Sequence, residues 1–113
     1  MTSGGRYERR YADMRAVDAF PGVVRRLLGS GAALSLVEIR IEMGHEVPQH
    51  THPHEQAGHV AAGRVRFTIG EQRIDLDRGD AYVIPGGVPH HVVALESATL
   101  IEAFSPVRED FLE

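Results

Sequence analysis

The chain has no cysteine among its 113 residues. That excludes a disulfide framework, thiolate catalysis and any cysteine-ligated zinc site, and it is in keeping with a reducing compartment. Positive charge is also in short supply, with 12 basic against 16 acidic side chains and a formal net charge of −4. Phosphate contacts dominate nucleic-acid affinity, so no nucleic-acid partner is expected. The pairs Arg9–Arg10 and Arg25–Arg26 are expected to be solvated surface. No apolar run approaches the roughly 20 residues that cross a bilayer, so no membrane partner is expected. The opening stretch MTSGGRYERRYADMR is charged throughout and has no apolar segment of the secretory kind. The protein is therefore expected in the cytoplasm. Internal repeats, low-complexity tracts and a long amphipathic helix are missing too.

What is present is a 42% apolar composition, ordinary for a globular chain, at a length that suits one domain. Residues 1–10 carry Ser3, Gly4 and Gly5 followed by charges and are expected to form a flexible arm, leaving 11–113 as the folded domain. Beyond the arm the apolar period is two. Val37, Ile39 and Ile41 alternate with Glu38, Arg40 and Glu42; Val65, Phe67 and Ile69 alternate with Arg64, Arg66 and Thr68; Ile74 and Leu76 alternate with Arg73, Asp75 and Asp77. Gly29–Ser30–Gly31, Gly44, Gly63, Gly70, Arg78–Gly79–Asp80 and Pro85–Gly86–Gly87 punctuate these runs. Many short strands with such punctuation indicate an all-β sandwich or barrel. Val23 to Leu28 suits an early strand, Ala12 to Ala19 is ambiguous, and a short helical turn is expected after Pro106.

All seven histidines fall between His45 and His91, five of them from His45 to His59. Residues two apart on a strand face the same way, so His50 and His52 can aim their imidazoles at one point. Neutral imidazole is a ligand for first-row metals. Gln56 is in register with both and offers a carbonyl oxygen, whereas Glu55 is out of register; Gln56 is therefore preferred as the third ligand, with hydrogen bonding to the ligands as its other reading. His54 shares the even register and is a candidate ligand or substrate contact, although Pro53 disturbs the strand. The turn Pro85-Gly86-Gly87 feeds His90 onto a new strand as the fourth ligand, with His91 pointing the opposite way. His45, His59 and His91 are expected at the surface or behind the ligands, and Phe67 and Tyr82 in the core.

These two segments resemble the cupin family. Gly44-x5-His50-x-His52-x3-Gln56-x6-Gly63 is similar to the first cupin motif, and Gly79-x5-Pro85-x-Gly87-x2-His90 to the second, with residues 64–78 between them. The resemblance implies a single-domain, all-β cupin double-stranded β-helix, a jelly-roll barrel of six to eight strands. It also implies one divalent transition metal held by His50, His52, Gln56 and His90. Zn, Ni, Fe and Mn all accept such N/O donors. Two positions depart from the pattern: Gln56 stands for the usual glutamate, and Ala94 for an asparagine. Three imidazoles and an amide leave the ion's +2 charge uncompensated. That weakens its retention, sharpens its Lewis acidity and strengthens its pull on an anion. It also removes the carboxylate of a two-histidine-one-carboxylate iron site.

His-x-His-Pro-His-Glu-Gln and the tail Glu102-Ala-Phe104-Ser-Pro106-Val-Arg108 further resemble the pectin-degradation cupins of the KdgF type, with Glu102 in place of an aspartate. That resemblance implies an enzyme that converts cyclic 4,5-unsaturated uronates to linear keto acids. Glu102 would move the proton, Arg108 would grip the substrate carboxylate, and Phe104 and His54 would line the substrate site. For Arg108 a structural ion pair, and for Phe104 a core position, fit as well. A non-catalytic sugar- or metal-binding module and a three-histidine iron dioxygenase are the other classes this donor set serves. The partner implied is a small anionic molecule. Cupins are commonly homodimers, for which Phe20 to Leu28 is an interface strand or, equally, a core strand.

Overall fold

The computed structural model describes residues 7–112, so most of the expected arm lies outside the described residues. Eight strands run in order: β1 Val17–Phe20, β2 Val23–Ser30, β3 Ser35–Ile41, β4 Glu46–His50, β5 Glu55–Ile69, β6 Gln72–Asp77, β7 Ala81–Ile84 and β8 His90–Ser105. All pairings are antiparallel. The sheet order is β1-β2-β3-β8-β5-β6, with β4 added to β8 and β7 to β5. The expected all-β jelly-roll barrel is what forms. The ambiguous segment Ala12 to Ala19 resolves into a 3₁₀ turn, Tyr11–Asp13, and the start of β1.

The period-two pattern sorts side chains as alternation dictates. On β3, Ser35, Val37, Ile39 and Ile41 are buried while Leu36 and Arg40 are exposed. Val37, Val60, Val65, Phe67 and Ile84 have no exposed surface at all. Val23 and Leu27 of β2 belong to the same core.

The long strands β5 and β8 hold the architecture together. The early part of β5 pairs with β7 and its later part with β6, while β8 lies along its whole length. The register of β5 on β8 shifts three times between Val60 and Val65. Such irregularities bend a strand and let one chain segment serve two walls of a barrel. Gly63 makes the bend possible: its φ is +81°, and a Cβ there would sit 2.1 Å from the Ser97 carbonyl oxygen. Along β8 the inward row runs His90, Val92, Ala94, Ala98, Leu100, Glu102 and Phe104. The same strand thus presents His90 near its start and Glu102 near its end.

The tail closes one end of the barrel. Ser105 Oγ donates to the Ala33 carbonyl at 2.8 Å, and the Arg108 backbone N–H donates to Ser35 Oγ at 2.9 Å. The turn expected after Pro106 is a 3₁₀ turn, Glu109–Phe111, which lays Phe111 against the core. Among the described residues no helix is long and apolar enough to cross a membrane.

Candidate metal centre

Three imidazoles converge from separate parts of the chain. His50 ends β4, His52 lies in the loop after it and His90 opens β8, directly opposite His50 in the β4–β8 ladder. Their ligand atoms lie within 4.8 Å of one another. Each ring is held by a carbonyl two residues away. His50 Nδ1 is 2.9 Å from Pro48 O, His52 Nδ1 is 3.1 Å from His54 O, and His90 Nδ1 is 2.9 Å from Val88 O. Each carbonyl requires a proton on Nδ1, so in the neutral ring Nε2 carries the lone pair. Burial above all, helped by the charge of Arg108 and the neighbouring imidazoles, lowers the His52 pKa to about 4. Burial likewise lowers that of His90.

Two observations show that a cation fits here. His90 Nε2 is buried with no hydrogen-bond partner. His52 Nε2 lies 3.1 Å from Gln56 Oε1, and the Gln56 amide is oriented by its own Nε2, which donates to Glu102 Oε2 at 2.6 Å. With Nδ1 of His52 protonated, a ring lone pair and a carbonyl lone pair face each other. A metal ion accepting both removes that conflict. The donor set is thus His50, His52 and His90 with Gln56 Oε1 beside them. Gln56 is buried and Glu55 exposed, as register required.

Glu102 is the buried carboxyl beside this cluster. Its Oε2 accepts from Gln56 Nε2 and from the Tyr82 hydroxyl, each at 2.6 Å. Burial pushes the Glu102 pKa up, opposed by these two donors and by the Arg108 charge. Tyr82 reaches it across a gap in β5. Gly58 pairs with Tyr82 on one side and Glu102 on the other, and a Cβ on Gly58 would lie 2.1 Å from the Tyr82 ring. Tyr82 is buried, as expected of a core residue, but its hydroxyl has a task that sequence reasoning missed.

His50, His90, Gln56 and Glu102 face a cavity of about 310 Å³ whose lining also includes Arg25, Arg108, Asp110 and Phe111. Arg108 is buried and paired: Nε and Nη2 meet the two Asp110 oxygens at 3.0 and 2.8 Å. That pairing holds the Asp110 carboxyl below the usual range. The guanidinium also stacks on Phe111 at 3.8 Å and on Phe104 at 4.6 Å. Arg108 therefore has an ion pair and a wall of the cavity at once.

Two other candidates stand beside His52 but outside the cavity lining. Phe104 is buried with its ring 5.6 Å from that of His52 and is not in the cavity lining. His54 also falls outside the lining and donates through Nε2 to the Val107 carbonyl at 3.2 Å. The backbone turns between β4 and β5, so register does not carry through Pro53 to His54. His45 lies beside Glu42 and His91 beside Glu46, and His59 is exposed, away from the cluster. Arg25 corrects the expectation of solvated surface. It shares the inward row of β2 with Val23 and Leu27 and faces the cavity, while Arg26 pairs with Glu38 outside. Its odd register with Val23 was the available signal.

Comparison with known proteins agrees with the geometry. The family model for the cupin domain matches residues 37–104. The chain is 39% identical over 94 residues to the pectin degradation protein KdgF of Dickeya dadantii (strain 3937), covering 80% of this chain and 84% of that protein. It superposes on the crystal structure of an RmlC-like cupin from Shewanella frigidimarina NCIMB 400 with a TM-score of 0.89 at 30% identity, covering 96% and 97% of the two chains. The structure of KdgF from Halomonas sp. gives a TM-score of 0.85 at 30% identity, covering 91% of this chain and 97% of that one.

Proposed function

The chain belongs to the cupin domain family, and from that footing we propose that it is a metal-dependent enzyme that opens and ketonises a cyclic 4,5-unsaturated uronate. The observation that carries this reading is that His50 and His90 of the three-imidazole cluster and the buried Glu102 face one small cavity, with Gln56 joining Glu102 to the third imidazole, His52. The cavity volume of about 310 Å³ sits at the small end of ligand sites, roughly 300–1,000 Å³, and suits a monosaccharide. The relative from Dickeya dadantii, named for pectin degradation, supports a sugar acid as the substrate class.

His50, His52 and His90, with Gln56 Oε1, would hold one divalent transition metal, which supplies a Lewis acid to polarise oxygen. The remaining work falls to the chain. Glu102 accepts the proton of the anomeric hydroxyl as the bond between C1 and the ring oxygen breaks, the electron pair of that bond staying on the former ring oxygen to give an aldehyde and an enolate. It then returns that proton to C4 as the enolate becomes a ketone, so the overall change is an isomerisation with no oxidant or reductant. Burial suits Glu102 to this, because a raised carboxyl pKa moves toward the neutral range where accepting and releasing a proton are both easy. The arginines of the cavity lining, with Arg108 held in place by Asp110, receive the carboxylate.

The direct test incubates metal-loaded protein with the 4,5-unsaturated monouronate and follows the loss of enol absorbance. A rate above the spontaneous one is expected. A rate equal to it sinks the proposal, and a ligand-induced rise in melting temperature without turnover would make the chain a binding module instead.

A further inference from the structure

Arg25 is an anomaly of placement. It stands on the core-facing row of β2, between buried Val23 and Leu27 and opposite Ile39 of β3. An arginine in such a row normally has an acid of its own. Among the described residues, the Arg25 side chain makes no hydrogen bond and no close ion pair, and the opposite charge acting on it is that of Asp110. The nearby carboxylate, Asp110, is already taken on both oxygens by Arg108. The cavity wall therefore holds two guanidinium groups and one matching carboxylate.

We propose that Arg25 is the carboxylate anchor of the cavity, the side chain whose guanidinium edge fixes an anionic sugar in the cavity that His50 and His90 also line. The proposal rests on the sugar-acid reading above and deepens it by naming the group that selects the acid over the neutral sugar. Three features fit. Its guanidinium lies 4.0 Å from the centre of the Phe111 ring, which orients the planar fork before any ligand arrives. Arg108 stacks on the same ring at 3.8 Å, so its ion pair with Asp110 braces Phe111 and, through it, Arg25. A half-buried cation whose neighbouring carboxylate, Asp110, is hydrogen-bonded to another arginine is costly to keep, and an incoming carboxylate accepting two N–H bonds offsets that cost. Arg108 commits two of its three nitrogens to Asp110, whereas Arg25 commits none.

The test titrates galacturonate, and galactose as its neutral counterpart, into the metal-loaded protein by calorimetry. Wild type is expected to prefer the acid. Arg25→Gln should lose about tenfold or more in galacturonate affinity, as for a charged hydrogen-bond pair, and leave galactose binding unchanged. Equal galacturonate affinity in wild type and variant overturns the anchor, whatever the turnover assay on unsaturated uronate returns. A wild type with no preference for the acid also overturns it, and the same turnover assay then decides separately whether the sugar-acid reading falls. If Arg25→Gln does not fold, Arg25→Lys carries the test. It keeps the charge but loses the planar fork, so weaker galacturonate binding is expected and unchanged binding overturns the proposal.

Discussion

Tyr82 and Glu102 are hydrogen-bonded at 2.6 Å although their strands, β7 and β8, share no ladder. β5 lies between them, and the absent side chain of Gly58 lets the phenol pass over it. Two substitutions probe this bridge. Tyr82→Phe removes one of two donors to a buried carboxyl and should cost about 1–3 kcal/mol in stability. It should lower kcat about tenfold while leaving metal content at the wild-type level. Gly58→Ala drives a methyl group into the Tyr82 ring and should cost about 1–3 kcal/mol or more, read from denaturant unfolding. A Gly58→Ala protein as stable as wild type would show that the ring is free to move aside.

Gln56→Glu restores the residue more usual in this position. The new carboxylate adds negative charge to an otherwise neutral donor set, so the metal should survive a chelator longer than in wild type. The same change turns the 2.6 Å donor bond to Glu102 into an encounter of two carboxyl oxygens. One of them must then stay protonated, and turnover should fall. Tighter metal and lower kcat in one variant is the expected signature; a rise in both measurements contradicts the role given to Gln56.

Elemental analysis tests the cluster directly. His90→Ala removes the buried Nε2 that has no partner within the protein and should reduce bound metal well below the wild-type level. His59→Ala, exposed and away from the cluster, should leave it unchanged. Equal metal in both variants would move the site elsewhere.

Acid should weaken the metal-depleted fold before it protonates its exposed carboxylates. In the folded chain His52 stays neutral down to a pKa of about 4, while in the unfolded chain it takes up a proton near 6.5. The unfolded state therefore binds more protons as pH falls through that interval. This contribution is absent above pH 6.5, grows as pH drops, and levels off below about 4. Melting temperature measured after chelation should decline across that window, and His52→Phe should flatten the decline.

Much of the centre was legible because alternation on an extended backbone is strict. It separates His90 from His91 and Gln56 from Glu55, and the structure keeps both distinctions. Alternation holds only inside a strand. His54 sits in the turn ahead of β5, so its ring stays 5.4 Å from that of His52 but its Nε2 goes to the Val107 carbonyl rather than to the cavity. Arg25 was lost for the opposite reason. Its neighbour Arg26 made the pair look like a solvated surface, although Val23 and Leu27 assigned it to the inward row. The contact of Tyr82 with Glu102 lay beyond any local pattern, because it depends on which strand falls between two others. The barrel itself was visible in the punctuated period-two runs, whereas the three register shifts near Gly63 were not.

The bend at Gly63 and Ser97 has a mechanical consequence. One uninterrupted backbone segment carries an imidazole near one end and a carboxyl near the other, so the crook between them works like the joint of a pair of calipers. Neither Gly63 nor Ser97 lines the cavity. A change at that joint would retune the gap between the two jaws without altering any group that meets a ligand, and divergence within such barrels can proceed there, out of reach of the chemistry.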